Sequence, residues 1–275
     1  MNAVTVLAAS EIRDGLRNRW IAASIILLTA LSLSLCFLGS APTGSIKAPS
    51  LSIAVVSLAS LSVYLIPLMA LMLSFDALVG EFERGTMLLL LTYPVSRWQV
   101  IIGNFVGHMT ILALAIFIGF GITAIVISVI TGSSLAHWQA YLWMMLSSWL
   151  LGGIFVALGY VVSAYVQERA TAIGVAIGVW LQGVLLYDLG LMGLLLADTE
   201  QTIGQNIFTG SLIANPTDSY RIFNLAGADT VGQLAGMANA GARADISPVL
   251  LIIVMVTWII LPLLFTLKRF KQRQL

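Results

Sequence analysis

Apolar residues fall along this chain in six long blocks, near 20–39, 51–75, 101–131, 140–166, 171–197 and 249–267, with polar breaks between them. Each block reaches, or nearly reaches, the roughly 20 residues that a helix rising about 1.5 Å per residue needs to cross about 30 Å of hydrocarbon. Residues 98–167 contain no Asp, Glu, Lys or Arg, and the break Thr131-Gly132-Ser133-Ser134 divides them into two helices joined by a short hairpin. The blocks do not alternate polar with apolar residues, so membrane-barrel strands are excluded. Helices also satisfy every backbone polar group inside lipid. Pro67 and Pro262 fall within blocks and predict kinks, while Ser247-Pro248 reads as a helix cap followed by a first-turn proline. The first block is longer than the 7–15 residues or so of a signal-peptide core and is read as an uncleaved span.

Composition sharpens the picture. Of 275 residues, 59% are hydrophobic and 9% charged, too few charges to cover a water-soluble globule of this size, and most soluble enzymes are excluded. The predicted fold is all-α and polytopic, with six transmembrane helices in one domain, residues 1–275. Three polar segments punctuate it. Residues 1–19 read as an amphipathic helix lying flat at the interface, with Val4, Leu7, Ala8 and Ile12 opposed to Glu11, Arg13, Asp14 and Arg17. Residues 76–100 form the second connection, and residues 198–247 form one large loop that has room for a short helix near Asp218–Leu225. Ten of the 13 Lys and Arg residues fall on the side holding both termini, which predicts cytoplasmic termini and an outer location for 198–247. Trp20, Trp98 and Tyr165 sit where an inner aromatic belt belongs, and Trp138, Tyr141 and Trp143 where an outer one does.

Net charge is +1, which gives no reason to expect a nucleic-acid partner. Cys36 is the only cysteine, so no internal disulfide can form. None of the three lysines fits a phosphate-binding Gly-x-x-x-x-Gly-Lys-Ser/Thr loop, and His-Glu-x-x-His and Gly-x-Ser-x-Gly are absent. The sequence thus predicts a non-catalytic membrane subunit with no bound cofactor.

The most informative segment runs from Phe75 to Arg97. Asp76, Glu81, Glu83, Arg84 and Arg97 are its charges. Gly85 is placed to end one helix and Thr86 to cap the next, an apolar helix over 87–92 that stops before Pro94. Two readings stand: a charged loop that only sets topology, or a connector that docks into a partner and passes a push into the spans.

The pattern Glu81-x-Glu83-x-Gly85-Thr86, the leucines after it and Pro94-x-Ser96-Arg97 resemble the signature of the ABC-2 class of ABC transporter permeases, as does the entrance Glu11, Arg17 and Arg19. The resemblance implies a type V-like exporter transmembrane domain, with ATP bound and hydrolysed on a separate subunit. A wider set is similar to the permease subunits that serve maturation of nitrous-oxide reductase: Asp14 to Trp20, Ser57 to Leu61, Phe75 to Arg97, Phe105 to His108, and Ala214 to Asp218. That narrower likeness implies a bacterial inner membrane, two copies of this chain, two ATPase subunits and a periplasmic partner. It also implies a task in assembling the enzyme's copper sites. Under this resemblance Glu81, Glu83, Arg84, Gly85, Thr86 and Arg97 form the ATPase-contact region, with Glu168 and Arg169 a minor second contact.

Three further readings stay open at this stage. Met69 and Met72, spaced i, i+3, with Cys36 and His108, have side chains that suit Cu(I), yet methionine more often fills packing gaps. Asp188 is the one acid inside an apolar block, either an interface residue reached by water and marking the end of span five, or a substrate or gating group. The alternatives to a maturation transporter are a general ABC-2 exporter for another substrate and a stand-alone secondary transporter using Asp188. Within the maturation reading, the chain either conducts copper or a sulfur species or passes on mechanical force alone.

Overall fold

A computed structural model describes residues 3–17, 19–38, 51–132, 135–197, 205–225 and 246–272, and among these every regular element is helical. In chain order they are α1 (Ala3–Arg17), α2 (Arg19–Leu38), α3 (Leu51–Ser74), α4 (Val79–Glu83), α5 (Thr86–Thr92), α6 (Arg97–Thr131) and α7 (Leu135–Tyr165). Then come α8 (Arg169–Leu181), a π-helical turn (Gln182–Leu186), α9 (Tyr187–Ala197), α10 (Gln205–Ala214), α11 (Pro216–Leu225) and α12 (Pro248–Gln272). Five helical stretches are long and apolar enough to cross a membrane, and the pair α1 and α2, meeting at 67°, makes six when counted as one bent span. The six predicted blocks are therefore six helices. Pro67 and Pro262 lie inside α3 and α12, which continue through them, and Pro248 opens α12 as its first residue. The end of the bundle that carries both termini is here the near end, and the opposite one the far end.

The core lies among α2, α3, α6 and α7, with α3 against α7 as its most extensive pairing. The helices come close because small residues line the contacts. A side chain on Gly152 would strike Leu112, and one on Gly159 would strike Ser74. Buried polar groups pair across the same contacts: Ser32 with Thr123 at 2.8 Å, the Tyr141 hydroxyl donating to the Phe120 carbonyl at 2.8 Å, and the Trp149 indole to the Met109 carbonyl at 2.9 Å. Tyr141 is thus a buried core residue and not part of an outer belt. Trp98, Trp143 and Tyr165 are exposed, as belt residues would be. By contrast Gly174 and Gly178, a small-residue pair at i, i+4, meet no neighbour among the described residues.

Helix α1 is more than a surface helix. It is seated on α6, where a Cβ on Gly103 would lie 2.7 Å from the Leu7 Cβ, and one on Gly107 2.6 Å from the Glu11 Cβ. At that seam a Glu11 carboxylate oxygen meets His108 Nε2 at 2.8 Å, and the other ring nitrogen bonds the Tyr160 hydroxyl at 2.8 Å. One buried imidazole therefore ties α1 to α6 and α7. Because both glycines face helix backbone or Cβ atoms, a branched residue has nowhere to go. Gly107→Val is expected to lift α1 from α6 and destabilise the protein by about 2 kcal/mol, in the range for overpacking. Thermal unfolding in detergent, with limited proteolysis after Arg13 and Arg17, reads this out.

Residues 205–225, expected within a large outer loop, fold back into the bundle instead. Helices α10 and α11 form a hairpin, and α11 packs against α3, α7 and α12. Although α11 is rich in polar residues, Asn215, Thr217, Asp218, Ser219, Tyr220 and Asn224 are all buried at or beside it. Burial is possible because each finds a partner. The Tyr220 hydroxyl bonds Ser148 at 2.8 Å, halfway along α7; Asn224 donates to Ser147 at 2.9 Å, and the Trp258 indole of α12 donates to the Ala214 carbonyl at 3.0 Å. Unpaired, such groups would each cost a few kcal/mol in this setting.

Candidate functional site

At the near end the second connection is a braced structure. Its entry is pinned to α7, because the backbone N–H groups of Leu78 and Val79 both donate to Ser163 Oγ at 2.9 Å. The short helix α4 follows and is stopped by Gly85, whose φ of 71° lies in the left-handed region that glycine adopts without steric cost. The Gly85 N–H donates to the Phe82 carbonyl at 3.1 Å, closing the turn. Thr86 does not cap the next helix, as the sequence had suggested. It is the first helical residue of α5, and its hydroxyl reaches back to the Glu81 carboxylate and to the Glu81 carbonyl. Glu81 also holds Arg84 at 2.7 Å. That bond is the main reason the Arg84 guanidinium is pushed above its ordinary range. Glu81, Arg84, Gly85 and Thr86 are thus one local unit that sets the corner between α4 and α5.

Helix α5 ends where predicted, at Tyr93, which is extended ahead of Pro94. Met87 faces inward and is buried, whereas Leu88, Leu89 and Tyr93 stand out, with Leu89 66% and Tyr93 67% exposed. This is an apolar knob held on a short stiff helix. The chain re-enters the bundle at Ser96, whose N–H donates to the Gln99 side chain at 2.8 Å. Arg97 donates to the carbonyls of Phe270 at 2.6 Å and Lys271 at 2.8 Å, and its guanidinium lies 5.5 Å from the centre of the Phe270 ring. A cation on the last carbonyls of a helix complements its dipole. Phe82 meets the same Phe270 ring edge-on at 6.0 Å. The connector is therefore tied to the end of α12.

It is also tied to span five. Asp76 bonds the Arg169 guanidinium at 2.7 Å, and Arg84 lies 4.0 Å from the same carboxylate oxygen. The Arg169 N–H, at the start of α8, donates to the Glu83 carboxylate at 2.7 Å. Arg169, which sequence placed with Glu83 at a partner surface, thus gives its side chain to Asp76 and its backbone N–H to Glu83. Glu168 is exposed at the cap of α8.

The remaining sequence candidates fall elsewhere. Cys36 is buried near the far end of α2, about 25 Å along that helix from Arg19. Met69 is buried and Met72 half-buried in the near half of α3, and both ring nitrogens of His108 are engaged. Among the described residues no three His, Cys, Asp or Glu side chains come together as a metal site. Asp188 does not end span five, which continues to Ala197. Nor is it a lone acid: Arg221 of α11 bonds Asp188 and, at 2.9 Å, Asp218. Sequence gave no sign that these residues, 33 apart, would meet.

A six-helix body with a braced connector and an exposed apolar knob at one end has the shape of a transporter's membrane subunit. The profile of the ABC-2 family transporter proteins matches residues 5–275, and the chain belongs to that family. Such chains are permease subunits of ABC transporters, a class that pairs with ATP-hydrolysing partners. The chain is 41% identical over 276 residues to the probable ABC transporter permease protein NosY of Stutzerimonas stutzeri, covering 99% of each. It is 43% identical over 231 residues to the protein of the same name from Pseudomonas aeruginosa, covering 83% of this chain and 84% of that one.

Proposed function

We propose that this chain is the permease of a transporter that supports maturation of the copper sites of nitrous-oxide reductase. It works as two copies with two NosF-like ATPases on the near end and a NosD-like partner on the far end. The near end is cytoplasmic and the membrane is the bacterial inner membrane, in keeping with the excess of Lys and Arg at that end. The observation that carries the reading is the knob Leu88, Leu89 and Tyr93. Exposed apolar side chains in an aqueous compartment mark a docking site, and these three sit on a corner fixed by Glu81, Arg84 and Thr86. A fixed corner passes on a push that a loose loop would absorb. The placement of Cys36 at the far end of α2, with His108 fully engaged in the near half of α6, favours mechanical transmission over a copper conduit.

The test is co-purification. Leu88→Ser with Leu89→Ser is expected to lower recovery of the ATPase subunit on the tagged permease by about tenfold, equal to roughly 1.4 kcal/mol of lost apolar contact. Insertion and unfolding temperature should not change, since both side chains are exposed. Full recovery of the ATPase on the double variant would refute docking through this helix.

A further inference from the structure

Span five, Arg169–Ala197, differs from the other crossings in how it is held. Its flanks are largely uncovered: Ala172 and Ala176 are the buried residues of α8, Val184 of the π turn and Leu191 of α9. It is fastened instead by polar and charged bonds at its near end and again midway along its length, and between them the Trp180 indole donates to the Tyr64 carbonyl of α3 at 3.0 Å. At the near end Asp76 grips the Arg169 side chain and Glu83 grips the Arg169 backbone N–H, both at 2.7 Å. Those two acids come from the connector, one on each side of the Ser163 pin. Roughly 21 Å along the helix the fastenings reappear. The Gly183 carbonyl, in the π turn, accepts from Asn215 at 3.2 Å and Thr217 at 3.0 Å. The Tyr187 hydroxyl donates to the Ser211 carbonyl at 2.7 Å, and Asp188 bonds Arg221. All four of these partners belong to the α10–α11 hairpin or its turn.

We propose that span five is a rod that links the near-end connector to the far-end hairpin. Arg169 is the positioning residue at its near end, and Gly183, Tyr187 and Asp188, midway along it, are the coupling to the hairpin. The inference rests on the coupling reading above and names its route. A helix is stiff along its axis. Charge-assisted bonds at Arg169 and Asp188 pull as well as push, and between them the span is held by the buried alanines of α8 and, to α3, by the Trp180–Tyr64 bond. The tightly packed pair α3 and α7 is the frame against which the rod moves. Movement of Glu83 about the Ser163 pin then shifts Arg169, and with it the hairpin.

Coupling between the two ends can be read without any ATPase, from amide hydrogen exchange of the full chain in lipid nanodiscs. Arg169→Ala is expected to speed exchange in residues 205–225 by about threefold or more, because the hairpin loses a fixed rod to lean on. Exchange in α1 should stay as in the wild type, since no bond of Arg169 reaches it. Exchanging the pair, Asp76→Arg with Arg169→Asp, is expected to bring the hairpin back to its wild-type rate, which a merely disrupted fold would not do. Coupling is reciprocal, so Asp188→Asn, which perturbs only the far end, should speed exchange in the connector over 79–92. Wild-type exchange over 205–225 in Arg169→Ala overturns the proposal. If that variant fails to insert, an unchanged connector in Asp188→Asn overturns it equally. Failure of the ATPase to co-purify would sink the docking reading and leave these exchange results as they are.

Discussion

Proline in place of Gly85 is expected to uncouple the transporter altogether. The wild-type residue sits at φ 71°, and proline holds φ near −65°, so the corner between α4 and α5 cannot form. The change also deletes the N–H that donates to the Phe82 carbonyl. Among the described residues nothing lies within 4 Å of where a Gly85 Cβ would be, so the effect comes from backbone geometry. A graded series follows from the same physics. Gly85→Asn should be nearly silent, since asparagine tolerates the left-handed region. Gly85→Ala should cost about 1 kcal/mol locally and weaken coupling a few fold. Gly85→Pro should remove stimulation of the ATPase by the permease, by about tenfold or more, while the six spans still insert. Wild-type stimulation in the proline variant would mean that the knob on α5 does not carry the push.

Removal of Arg221 is expected to produce the largest loss of stability of any single change in the far half. Its guanidinium, 18% exposed, lies between Asp188 and the buried Asp218. Arg221→Met leaves two carboxylates facing each other with no cation between them. Breaking a buried pair in this way costs about 3–5 kcal/mol, which for a chain of this size lowers the unfolding midpoint by roughly 10 °C. The loss should be partly repaired by adding Asp188→Asn or Asp218→Asn, because either removes one of the stranded charges. Thermal unfolding of the purified chain in detergent, with all variants at one scan rate, provides the comparison. An unfolding midpoint equal to wild type in Arg221→Met would show that the cluster does not hold the hairpin.

Much of the membrane body was legible because its signals are local. The apolar blocks, the Gly132 turn, the Ser247-Pro248 start and the stop at Pro94 are each set by residues within a few positions of the feature. Gly85 was legible for the same reason. What sequence could not reveal depends on partners far along the chain. The polarity of Thr217, Asp218 and Asn224 reads as solvent exposure until Ser147 and Ser148 of α7 are seen to bond Asn224 and Tyr220. Likewise Glu11 looked like a surface charge and His108 a stray ligand, until each was found to be the other's partner across the α1–α6 seam. Charges at connections look free, and here the Arg169 guanidinium pairs with Asp76 while Glu83 accepts from the Arg169 backbone N–H. Thr86 was misread on local grounds. Its place after Gly85 fits a cap, but its hydroxyl found a stronger acceptor in the Glu81 carboxylate.

The polar helix α11 has a consequence for how the polypeptide is made. Insertion machinery releases segments into lipid by their apolarity, and the stretch Pro216–Leu225, with Asp218 and Arg221 in it, would be passed across the bilayer instead. It can return only once α7 offers Ser147 and Ser148, and its turn is closed by Trp258 of α12. Docking of α11 must then wait until α12 has been made. A nascent chain truncated before α12 should stay open at that face, where quality-control proteases could recognise it.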